Sequence, residues 1–336
     1  MSPGKKRRIL FSYLIRILLP LLANEWFMNW KLARYKATKA KDDTVEFLRI
    51  FFEYIPDLGQ KHLLKDVARC LGDEELRQLV ERIEFGLLRP MLSPRPEIVK
   101  SIEKSICNKC LSRDGNRCVI TGVPITARHL NKFGKSTEIQ LSAAHIIPLD
   151  MAMDIKRGVL QHHPQSSDMD ERYQHGKVWD NLQRYFRFRI LDQQNSPSLP
   201  DIFEFEKEQN RMIMAVSIRR EFEMFHFVLE ATQTPNHYYF KGFSELPSYF
   251  MVFAPRDRIV KLRSYDSRYP LPSAILLSIH AAIGNILHQS SRGEKIEQLK
   301  EDLSRGRHGL AGAGSSKIED IFSLSKLSSL ISSDEG

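Results

Sequence analysis

Apolar positions recur with a helical period through the first third of the chain. From Thr44 to Tyr54, residues Val45, Phe47, Leu48, Ile50, Phe51 and Phe52 form a stripe broadened on one side. Asp73 can cap a second helix whose face carries Leu76, Leu79, Val80 and Ile83. Pro90, Pro94 and Pro96 then mark a boundary, and a further helix is predicted from near Pro96 to Leu111. Beyond it the period shortens. Arg113–Gly122 and Gln140–Pro148 predict the two strands of a β-hairpin, with a polar, basic loop from Thr126 to Thr137 between them. Met224–Leu229, His237–Phe243 and Ser248–Ala254 predict further strands, Glu171–Phe186 a helix, and the strongly apolar Pro272–His288 a core helix. Asn195–Pro200 is a turn-rich break, and Ile296–Leu303 has the pattern of a marginal helix.

This order implies an α+β protein in four parts. Residues 1–100 form an N-terminal helical region, 101–245 a strand-bearing domain, 246–290 a strand and helix packing on that core, and 291–336 a tail. The last 25 or so residues, rich in Ser, Gly and charge, are expected to be disordered. No internal repeat is visible.

Composition changes the picture in two places. An apolar fraction of 42% and a charged fraction of 27% describe a globular chain, and four cysteines make no disulfide framework, so an intracellular setting, nucleus or cytoplasm, is expected. The net charge of +9 suggests a nucleic-acid footprint, but nine Lys/Arg fall in residues 1–40 against one acid, Glu25, and the rest of the chain is nearly balanced. In that N-terminal stretch Lys5-Lys6-Arg7-Arg8 precedes an apolar run from Ile9 to Ala23, broken by Arg16 and Pro20. A spanning helix needs about 20 apolar residues. The readings left open for 5–23 are a packed or peripheral helix, a membrane association and a targeting segment, with the basic cluster also fitting a nuclear import signal.

Two short stretches carry a family resemblance. Arg113-Asp114-Gly115-Asn116-Arg117-Cys118-Val119-Ile120-Thr121-Gly122 and Ala143-Ala144-His145-Ile146-Ile147-Pro148 resemble the HNH endonuclease superfamily of ββα-metal nucleases. The likeness is greatest to fungal HNH nuclease-domain proteins with an RDG-x-RC-V-x-TG … AAHI-x-P signature. It covers about 130 residues, from near Cys110 to Phe243. It implies an HNH-like core between the helical N-terminal region and the C-terminal strand and helix, and a metal-dependent endonuclease hydrolysing phosphodiester bonds.

Such hydrolysis needs a neutral imidazole to take a proton from water and a cation to stabilise the departing oxygen. The resemblance places His145 as the base and Asn210 as a second catalytic residue holding the metal ion (Mg, Mn or Zn). Arg113, Arg117 and Arg219 are expected to bind phosphate, with nucleic acid, DNA first, as the partner. The same frame puts Arg219 where the family has its last histidine and Arg211 where it has a glycine. An arginine offers no lone pair to a cation. Two outcomes stay open: a retained nuclease in which Arg219 grips phosphate, or a catalytically inactive HNH-fold binding protein.

Other chemistry is weaker. Cys107, Cys110 and Cys118 resemble part of a zinc site, with His129 or His145 as a fourth ligand, but thiols packed in the core explain them more simply. His162, His163 and His175 fit surface positions. Arg184-Tyr185-Phe186-Arg187-Phe188-Arg189 interleaves arginines and aromatics, as a nucleic-acid contact strip or an amphipathic element with a basic face would.

Overall fold

In a computed structural model the chain is described over residues 26–39, 42–92, 100–124, 128–130, 136–138, 140–147, 178, 180–186, 208–252 and 254–298. It mixes helices with small antiparallel sheets, an α+β architecture. It divides into two compact units, residues 1–85 with 180–198, and residues 86–179 with 199–336. The helical segment at 180–185 therefore belongs with the N-terminal helices.

The first unit is helical. Helix α1 spans residues 26–32, followed by α2 (Thr44–Tyr54), α3 (Asp57–Arg69) and α4 (Asp73–Ile83). The predicted stripes point inward: Phe47, Leu48 and Phe51 of α2 and Leu76, Leu79, Val80 and Ile83 of α4 are all buried. Gly72 rather than Asp73 occupies the cap position of α4, and Glu75 Oε2 accepts its N–H at 2.9 Å. Gly59 is required where it stands, because a β-carbon there would lie 1.8 Å from the Tyr185 carbonyl oxygen. Tyr185 is edge-on to Phe51, and its hydroxyl donates to Asp66 at 2.8 Å. The Asp66 carboxylate also receives Arg184, through Nε at 2.7 Å and through a second guanidinium nitrogen. Arg184 and Tyr185 are thus engaged in ion pairing and packing within this unit, and Phe186 is buried. Residues 187–189 lie outside the described positions.

The second unit carries the sheets. Helix α5 (Lys100–Arg113) leads to β1 (Arg128–Leu130) and β2 (Ser136–Glu138), which pair with each other. Strand β3 (Leu141–His145) pairs antiparallel with β4 (Arg211–Ala215) in the register Leu141↔Ala215 to His145↔Arg211. Helix α6 (Val216–Glu223) follows β4 directly and packs against β3 and β4. A third sheet, β5 (Phe227–Ala231), β6 (His237–Gly242) and β7 (Ile259–Lys261), is covered by α7 (Ala274–Gln289). Gly284 lets α7 approach the sheet, since a β-carbon there would meet Val228 at 2.4 Å. A short helix α8 spans residues 292–298.

Two predicted strands are corrected. The Arg113–Gly122 run does not pair with β3. It is the end of α5 followed by a tight loop, in which Gly115 and Asn116 take φ of 68° and 53°. Consecutive left-handed residues terminate a helix and cannot lie in a strand. The loop closes through an Arg117↔Pro124 bridge, with the Cys118 N–H donating to Val123 at 2.9 Å. The partner of β3 is β4, which begins one residue after Asn210. Ser248–Val252 is likewise a 3-10 helix rather than a strand, and β7 fills the edge of the sheet instead.

Candidate functional site

The β3–β4–α6 succession sets His145, Asn210 and Arg219 on adjoining elements, beside two residues the sequence reading had not assigned to the site, Arg211 and Glu223. His145 is the last residue of β3 and Arg211 the first of β4, directly opposite. Both are buried, at 4% and 3% exposure. The Arg211 Nε–H donates to His145 Nε2 at 2.8 Å. A guanidinium only donates, so Nε2 is the nitrogen bearing the lone pair and that lone pair is occupied.

Asn210 precedes β4 and is 0% exposed. Its Oδ1 accepts the Ile147 N–H at 2.8 Å and its Nδ2 donates to the Ile147 carbonyl at 2.8 Å. Its own carbonyl accepts the Ile146 N–H at 2.9 Å. The side chain thus continues the strand ladder past His145, satisfying both polar groups of a buried peptide unit. Both ends of the amide are committed to backbone.

On α6, the Arg219 Nε donates to Glu223 Oε1 at 2.9 Å, and a second nitrogen donates to the Ser142 hydroxyl at 3.1 Å. Glu223 Oε1 also accepts the His145 backbone N–H at 3.3 Å. Helix and strand are stitched together by the side chain expected to hold phosphate.

Arg113 differs most from its expected role. It is 0% exposed, and its five N–H donors have five acceptors. Nε and Nη2 grip the Asp114 carboxylate at 2.6 and 2.9 Å, Nη2 reaches the Arg211 carbonyl at 2.7 Å, and Nη1 reaches the carbonyls of Glu208 at 2.6 Å and Pro270 at 3.1 Å. Asp114 Oδ2 in turn accepts the Ile213 N–H at 2.9 Å. No donor is left for phosphate; Arg113 is the buttress of β4. Arg117 is only half-buried, with its guanidinium carbon 5.3 Å from the centre of the Tyr265 ring.

His145, Asn210 and Arg219, as placed, do not make a set of metal ligands. The Asn210 amide is bonded to backbone, His145 faces an arginine, and Arg219 stands where another ligand would be needed. Among the described residues no group of three His, Cys, Asp or Glu side chains could hold a metal. Cys107, Cys110 and Cys118 are free thiols; Cys110 and Cys118 are fully buried, and burial pushes the Cys110 thiol up to about 12. His129 is described only through its backbone in β1, and His162, His163 and His175 lie outside the described residues.

A second titratable cluster escaped sequence reasoning because its members are far apart in the chain. His226 Nδ1 lies 2.6 Å from Glu221 and Nε2 lies 3.6 Å from Glu297. His288 Nδ1 lies 2.9 Å from Glu245, its Nε2 lies 2.8 Å from the Phe225 carbonyl, and its ring stacks on Phe243 at 3.9 Å. Burial opposes charge on His226, but Glu297 and Glu221 outweigh it and raise its pKa. Burial dominates at His288 and lowers it.

Among the described residues no helix is long and apolar enough to cross a membrane. No protein-family model matches the chain, and neither a curated protein nor a solved structure matches it significantly.

Proposed function

We propose that this chain is a non-hydrolytic binding protein built on an HNH-type strand–strand–helix scaffold. The reading rests on the RDG-x-RC and AAHI-x-P stretches, on the succession β3, β4, α6, and on the meeting of His145, Asn210 and Arg219. One observation carries the loss of catalysis: the 2.8 Å bond from Arg211 Nε to His145 Nε2. A neutral imidazole has one lone pair, and here it is engaged by a buried cation instead of a water. A general base needs that lone pair free. Asn210 and Arg219 support the same reading, since the Asn210 amide is paired with the Ile147 backbone and Arg219 has no lone pair to offer a metal. Arginine in place of glycine at position 211 is therefore the change that closes the site.

Nucleic acid is the partner class that goes with this scaffold. Of the three arginines expected to meet phosphate, Arg117 and Arg219 keep partial solvent exposure and Arg113 does not.

The test is nicking of supercoiled plasmid with Mg²⁺, Mn²⁺ or Zn²⁺. The expected outcome is no nicking above background, with the folded His145→Ala variant indistinguishable from wild type. Metal-dependent nicking that vanishes in His145→Ala would mean that Arg211 leaves the histidine in solution, and would restore the nuclease reading.

A further inference from the structure

The most unusual exposed surface is on α1. Met28 and Leu32 face the interior of the first unit at 2% exposure, while Trp26 and Trp30, one turn apart on the opposite side, are 66% and 41% exposed. Exposing two indoles to water costs a soluble surface more than most residue choices would. They are also ordered against their neighbours. The two rings lie 6.3 Å apart, Phe27 lies 6.0 Å from Trp30, and the Arg34 guanidinium carbon sits 3.9 Å from the centre of the Trp30 ring. Arg34 also donates to the Trp30 carbonyl at 3.1 Å. Arg34, Lys36 and Lys39 are all exposed.

We propose that the Trp26–Trp30–Arg34 face docks on an anionic lipid surface. Three features of the chain converge on that partner. Indole, with an apolar body and one N–H, suits the boundary between headgroups and acyl chains. The charge beside the indoles is positive, since residues 26–39 carry Lys31, Arg34, Lys36 and Lys39 and no acid. And the sequence running up to this face, Ile9 to Ala23 behind Lys5-Lys6-Arg7-Arg8, is apolar with a basic flank, the composition of an interfacial anchor. A nucleic acid fits less well: the Arg34 guanidinium already covers one face of the Trp30 ring, where a base would stack. The proposal does not depend on the fate of the nuclease-like site, which uses none of these residues.

The experiment is flotation of the full chain with phosphatidylcholine vesicles made with and without phosphatidylserine. Wild type is expected to float with the anionic vesicles and to be released by salt. The double variant Trp26→Ala/Trp30→Ala is expected to partition at least about tenfold more weakly, as loss of two interfacial aromatic side chains implies. Because that variant can lose folding, checked by its melting curve, Arg34→Glu/Lys36→Glu provides a second arm, expected to lose the preference for phosphatidylserine. Three results would overturn the proposal: no flotation with either vesicle, as when the chain's own first residues cover the face; flotation unchanged in both variants; or displacement by a single-stranded oligonucleotide that itself binds through Trp30.

Discussion

Two histidines of the second unit sit at the ends of elements beside charged partners, with opposite surroundings. His145 is met by the arginine directly across β4, and a second arginine pairs with the glutamate that holds its backbone N–H. His226 is met by Glu221 on one nitrogen and Glu297 near the other. The first ring is locked as an acceptor in a closed network, and the second is drawn towards its charged form in a cleft it shares with His288. The motif pointed to His145, yet the geometry that leaves a histidine free to change protonation is at His226. A histidine's role follows from what faces its two nitrogens.

The sharpest way to break the contrast is at Arg113. Arg113→Leu removes five hydrogen bonds and strands the Asp114 carboxylate in the interior, so a loss of about 3–5 kcal/mol is expected in urea unfolding. A loss below about 1 kcal/mol would show that β4 does not depend on the buttress. Next comes Asn210→Ala, which leaves both polar groups of Ile147 unsatisfied; about 2–3 kcal/mol is expected by the same measurement. An Asn210 whose truncation cost nothing would be a residue kept for a ligand, and the closed-network reading would fall.

A smaller effect should separate the two sides by pH. The folded pKa of His226 is raised above 6.5, so its pairing adds stability in full below that value and loses it as pH rises through the folded-state pKa. His288 is lowered, so its contribution is present above 6.5 and is lost as pH falls through its folded value. The two lean against each other. Glu221→Gln removes one side, and stability should then decline more on acidification than in wild type, by under about 1 kcal/mol. Melting temperatures at a series of pH values would show it, and an unchanged profile would remove Glu221 from the account. The smallest signal is spectroscopic. Nitrogen NMR shifts should report the proton of His145 on Nδ1, with Nε2 an acceptor; an Nε2-protonated ring would contradict the Arg211 bond.

The elements with a strong period were legible in the sequence. The faces of α2 and α4 and the core helix α7 lie within a residue or two of their predicted spans, as does β6, while β5 begins three residues later than expected. Local geometry was harder. Arg113–Gly122 predicts a strand, but the left-handed pair Gly115–Asn116 turns the chain, and the space for it is set by Tyr265, whose ring would lie 2.7 Å from a β-carbon at Gly115. The β3–β4 pairing was illegible because nothing in a local window ties residue 145 to residue 211. At the site, the sequence indicated His145, Asn210 and Arg219 through a family frame and noted arginine for glycine at 211. It could not show that this arginine ends on the histidine, because that depends on the register His145↔Arg211.

That register has a temporal consequence. A hairpin with a two-residue turn can zip as soon as it is made, but β3 has no partner until the chain has been synthesised through Ala215. During that interval the end of the strand that is buried in the folded protein, Ala144 and His145 with Ile146 and Ile147 after them, has no β4 to pair with. Closing so long a loop costs only logarithmically more than closing a short one, so the finished protein bears little thermodynamic burden from it. The burden is kinetic: a nascent chain that stalls before residue 211 presents an unpaired apolar edge, the species on which a chaperone or a protease would act first.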